Sequence, residues 1–137
     1  MKKTVVCLIL LACVLYCIGS YLYHSIPYQF EIEGAHTMKI FSGSTGENIE
    51  VTNPDVIARI TEEINLREFT RGSKETIDGY SYAIAWYGED GETIEILYLL
   101  GGGSTVIKAK TRRHYDLPED FAPIELADIE ALFETTP

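Results

Sequence analysis

The spacing of apolar positions changes repeatedly along this chain, and each change predicts an element. Thr4 to Tyr23 (TVVCLILLACVLYCIGSYLY) holds no charged residue, and its 20 residues are the length a helix needs to cross a bilayer core. His24–Glu33 (HSIPYQFEIE) then reads as a juxtamembrane stalk or a first short strand. Met38–Phe41 and Asn48–Val51 flank the turn-rich stretch Ser42–Glu47, which predicts a hairpin. Asn53-Pro54-Asp55 places a capping residue, a proline at the first helical position and an acid facing the helix dipole. Val56, Ile57, Ile60 and Ile64 follow as one apolar stripe, so an amphipathic helix should run to about Leu66.

Beyond Glu68 the period shifts to two. Tyr80, Tyr82, Ile84 and Trp86 alternate with smaller residues, and Gly88-Glu89-Asp90-Gly91 separates them from Thr93–Leu100, a strong hairpin signal. The alternation puts Ile94, Ile96, Tyr98 and Leu100 on one face, and Ala83, Ala85, Leu97 and Leu99 on the other, with the Trp86 face as core. Gly101-Gly102-Gly103 reads as a flexible connector, Ser104–Lys110 as a third strand and Thr111–Asp116 as a short edge strand. After the loop Leu117–Pro123, Ile124–Phe133 carries Leu126, Ile129, Leu132 and Phe133 at helical spacing, with Glu125 and Asp128 in its first turn. The expected architecture is α+β: two layers, an antiparallel sheet of about five to seven strands with two helices on one face, preceded by one N-terminal transmembrane helix. The chain divides into an anchor (1–23), a stalk (24–35) and an extracytoplasmic domain (36–137).

Lys2 and Lys3 precede the apolar run and Lys39 is the next basic residue, so charge alone puts the N-terminus in the cytoplasm and the C-terminal domain outside. An uncleaved signal-anchor fits the length best. The alternatives are a cleaved signal with small residues at Cys17, Gly19 and Ser20, or a lipoprotein processed at Leu10-Leu11-Ala12-Cys13. Residues 24–137 carry 9 basic against 21 acidic side chains, a net −12 with histidine neutral. That surface disfavours nucleic acid and anionic lipid headgroups, since binding to either depends on neutralising phosphate with Lys and Arg. Cys7, Cys13 and Cys17 all lie inside the apolar run, which excludes a disulfide framework or thiolate zinc site outside it.

No catalytic or cofactor motif emerges. His36 and His114 could join Glu31, Glu33 or Asp116 in a zinc site, but no HExxH, HxH or cysteine pairing sets a ligand geometry, so no metal site is expected. Glu89-Asp90-Gly91-Glu92 lacks the spacing of a calcium loop. Gly101–Ser104 lacks the lysine of a phosphate-binding loop, and no exported cysteine or Gly-x-Ser-x-Gly offers a nucleophile. The one basic patch is Lys108, Lys110, Arg112, Arg113, His114 and Tyr115. With Lys108, Lys110 and Arg112 on alternating strand positions, it would present one face to an envelope protein or anionic ligand, or simply pair with nearby acids.

The layout of Asn-Pro-Asp helix, Gly-Tyr-Ser-Tyr strand, Gly-Glu-Asp-Gly hairpin, His-Tyr-Asp and a terminal Ile-Glu-Leu-Ala-Asp-Ile-Glu-Ala-Leu-Phe helix resembles small membrane-anchored extracytoplasmic domains of unknown function from Clostridia-type Gram-positive bacteria. The resemblance covers roughly residues 36–134. It implies a cell-envelope location and a TATA-binding-protein-like arrangement, and it brings no catalytic residues. The expected function is a non-enzymatic binding module, a sensor or accessory subunit; the alternative is an envelope enzyme or enzyme inhibitor with an unrecognised carboxylate site.

Overall fold

Seven short strands and two amphipathic helices bury their apolar positions on one side of a single sheet. The computed structural model describes residues 1–74, 79–118, 124 and 126–135. Its elements are α1 (Lys2–Ser25), β1 (Thr37–Ser42), β2 (Asn48–Val51), α2 (Pro54–Asn65), β3 (Thr70–Lys74), β4 (Tyr82–Tyr87), β5 (Thr93–Leu100), β6 (Thr105–Lys108), β7 (Arg113–Asp116) and α3 (Leu126–Thr135). The sheet is antiparallel throughout, in the order β2-β1-β4-β5-β6-β7-β3. The fold is therefore the expected two-layer α+β arrangement, preceded by an apolar helix.

Register decides which residues share a face. Met38 lies opposite Trp86, Ile40 opposite Ile84, and Ile84 opposite Leu97; Tyr82, Leu99, Val106 and Tyr115 continue that side. Helix α2 covers it with Ile57, Ile60 and Ile64, all buried, each worth about 1.5–3 kcal/mol of transfer free energy. Trp86 is fully buried there and its Nε1 donates to Thr61 Oγ1 at 2.9 Å, so the indole loses water without losing a partner. Helix α3 adds Ile129, and its Phe133 ring lies 5.8 Å from that of Tyr82. Arg59 of α2 reaches Asp128 of α3 at 3.9 Å across the exposed seam. Asn53 caps α2 by accepting from the Asp55 N–H at 3.0 Å.

Several expectations change in detail. Leu97 and Leu99 share the Trp86 face rather than opposing it, because the Gly88–Gly91 hairpin and an irregularity between Trp86 and Tyr87 set the pairing one residue away from simple alternation. Ile96 and Tyr98 occupy the other face, with Ala83 and Ala85. Tyr80 leaves the Trp86 row: its ring packs edge-on to Tyr98 at 5.0 Å. The triglycine is no loose connector. Gly103 is buried, and a side chain there would meet the Ile124 carbonyl oxygen at 2.5 Å. The third strand ends at Lys108, and β7 is covered by β3, which forms the sheet edge.

Residues 28–32 belong to the core, not to a stalk. Phe30 and Ile32 are buried, Tyr28 and Phe69 exchange backbone hydrogen bonds at 2.8 Å, and Asn65 of α2 clamps Ile32. Its Oδ1 accepts from the Ile32 N–H at 3.1 Å and its Nδ2 donates to the Ile32 carbonyl at 2.9 Å, replacing a missing strand partner. Helix α1 buries none of its residues and is long and apolar enough to cross a membrane, with mean hydropathy 2.6.

Candidate functional site

Burial normally selects apolar residues on a sheet's inner face, yet at the β5–β7 end that face carries Glu95, Lys108 and Arg113. Residues 27–31 cross over them and leave a cleft of about 500 Å³ lined by Tyr28, Gln29, Glu31, Arg71, Glu95 and Lys108 among others. Lys108 Nζ lies 3.2 Å from Glu95 Oε2, with both side chains largely shielded from water. Burial works against the charge on Lys108, but the Glu95 carboxylate and a hydrogen bond with it, helped by Tyr28, outweigh this and raise its pKa above the ordinary lysine value.

Aromatic rings pack beside the cleft, where Tyr28 and Phe30 line it. Tyr28 stacks on Tyr115 with ring centroids 4.5 Å apart, and Phe30 meets Tyr28, Phe69 and Tyr115 edge-on. Burial, then the neighbouring Tyr28, pushes the Tyr115 phenol above its usual value, so it stays neutral and packs.

At the mouth of the cleft, Arg71 joins the sheet to α1. Its Nη1 donates to the carbonyl oxygens of Tyr23 at 3.2 Å and Ile26 at 3.0 Å, two of the groups a helix end leaves without partners. Its guanidinium also lies 4.8 Å from the Tyr23 ring and 5.1 Å from that of Tyr28. His24 Nδ1 is 3.0 Å from the Arg71 carbonyl oxygen. Arg113 donates to the Gly72 carbonyl at 3.2 Å and lies 5.4 Å from the Tyr23 ring.

The basic patch expected from sequence is thus divided. Lys108 and Tyr115 serve the cleft, while Arg113 braces β3 and α1. His114 points to the opposite face, in the row of Phe41 and Ile107, next to Gly72. Lys110 and Arg112 are exposed in the four-residue turn 109–112 and do not share a strand face with Lys108, because the chain has already reversed: the Arg112 N–H bonds to the Lys108 carbonyl at 2.7 Å. Sequence reading missed Glu95, Arg71 and Tyr28 as site residues, and considered Glu31 only as a partner of His36 and His114. The available signal was Glu95, a charge inside the apolar run Thr93–Leu100.

A second groove, of about 470 Å³, runs between residues 32–36 and α2, lined mainly by apolar groups such as Ile32, Ala35 and Leu66. Its rim holds His36, Glu33 and Glu62. Among the described residues no three of His, Cys, Asp and Glu gather as a metal-ligand set. The chain matches no protein-family model, no curated protein and no solved structure.

Proposed function

We propose that this chain is a bilayer-anchored, extracytoplasmic binding domain, an accessory or sensor module whose partner enters the charged cleft beside the anchor. The observation that carries this reading is the cleft itself: two cations and two carboxylates line it, and Lys108 and Glu95 pair there on a sheet face that packing alone would fill with apolar groups. Both signs of charge suit a polar ligand that itself carries both, such as a peptide segment. Helix α1 supports the anchoring, and Lys2 and Lys3 support an external domain.

Two measurements test this. A reporter active only outside the cytoplasm, fused after Pro137, should be active, and activity of a cytoplasmic reporter alone would overturn the topology. A photo-crosslinker at Gln29 should capture a specific partner in native membranes, and E95Q or K108M should abolish that product while the chain stays folded. Identical products from the variants and the parent would remove the cleft as the site. Hydrolysis of an envelope polymer that depends on Glu31 and Glu95 would instead favour an enzyme.

A further inference from the structure

The basic residues outside α1 are unevenly placed. Of the nine Lys and Arg in residues 24–137, six fall in β3, β6, β7 and the 109–112 turn: Arg71, Lys74, Lys108, Lys110, Arg112 and Arg113. Those elements contain one acid, Asp116, which accepts from Thr105 Oγ1 at 2.7 Å. The rest of the domain has 3 basic against 20 acidic residues. One end of the sheet is therefore positive and the remainder strongly negative, and the positive end is where α1 attaches.

Taking α1 as a membrane span, as proposed above, fixes the depth of that end. Its 24 residues extend about 36 Å at 1.5 Å each, against about 30 Å of hydrocarbon, so the last turn stands in the headgroup layer. Tyr23 and His24 occupy that turn and Tyr21 directly precedes it, and tyrosine favours this layer. Arg71 and Arg113 both touch the Tyr23 ring and share its depth. Among the described residues neither guanidinium meets a carboxylate within 4.0 Å. Arg112 precedes Arg113 directly, and Arg112 and Lys110 are exposed in the adjoining turn. Arg112 also holds a left-handed backbone at φ 55, where glycine would be cheaper.

We infer that the 109–112 turn, with Arg71 and Arg113, rests on the phosphates of anionic lipids in the membrane that α1 spans. The domain then stands with its β3 edge on the bilayer and the acidic β1–β2 end held away by like charge. Six strand spacings of about 4.8 Å put β2 about 29 Å from β3, so the two edges sample different distances from the membrane.

The test uses the full chain with Cys7, Cys13 and Cys17 replaced by alanine and one fluorophore attached through T111C or E47C. The protein is placed in nanodiscs of phosphatidylcholine, alone or with phosphatidylglycerol, carrying a quencher on a fraction of headgroups. In the anionic discs the label at 111 should be quenched several-fold more than the label at 47. Added salt or K110Q/R112Q should reduce that contrast, since the attraction acts over about a Debye length. Equal quenching at both positions, or a contrast unmoved by K110Q/R112Q, overturns the inference, while co-elution with the discs still upholds α1 as a span. A chain that elutes apart from the discs overturns both.

Discussion

Trp86 shows how one side chain combines packing with a satisfied polar group. Trp86→Ala should cost about 3–5 kcal/mol in urea unfolding, as large aromatic truncations do. Trp86→Phe should cost less, since Thr61 Oγ1 keeps its own bond to the Ile57 carbonyl at 2.6 Å. The titrating residues give a pH prediction. Tyr82 and Tyr115 have phenols raised mainly by burial, so below about pH 10 they cost nothing, and above it only the unfolded chain ionises them freely. Lys108 is raised too; its contribution is complete below about pH 10.5 and lost as pH climbs through its folded value. All three therefore act in one direction. Urea midpoints should fall from pH 9 to pH 11, and Tyr115→Phe should flatten that fall.

At the scale of elements, the strongest local signals were the most legible. Asn53-Pro54-Asp55 announced α2, and Asn53→Ala should lower stability by about 0.5–2 kcal/mol, read from thermal melts. Asn65→Ala should cost about 1–3 kcal/mol, since it leaves the Ile32 N–H and carbonyl unpaired inside the fold. The β1–β2 hairpin, the limits of β5 and the Trp86 core face were also readable, because each depends on near neighbours. Strand β3 was not. Thr70-Arg71-Gly72-Ser73-Lys74 has no apolar alternation, since an edge strand beside a helix end needs backbone partners more than a buried face. The placement of Leu97 depends on an irregularity opposite Trp86, and a one-residue slip moves every side chain to the other face. The cleft was legible only in part: Lys108 and Tyr115 stood out in sequence, but Tyr28 and Arg71 reach them through pairings 41 residues or more apart.

For the whole molecule, the burial of residues 28–32 sets where an independent domain begins. A fragment 26–137 should unfold cooperatively. A fragment 36–137 loses Phe30, Ile32 and their contacts and should be about 3–6 kcal/mol less stable, which urea titration of the two would show. The position of β3 at the sheet edge also bears on synthesis. Among the described residues its strand partner is β7, and Arg113 comes 39 positions after Lys74. At ribosomal rates of about 5–20 residues per second, β3 emerges about 2–8 s before that partner exists. An apolar strand left open so long would recruit other chains. Thr70–Lys74 can wait, because the polarity that concealed it from a search for alternation also makes it a poor template for a stranger.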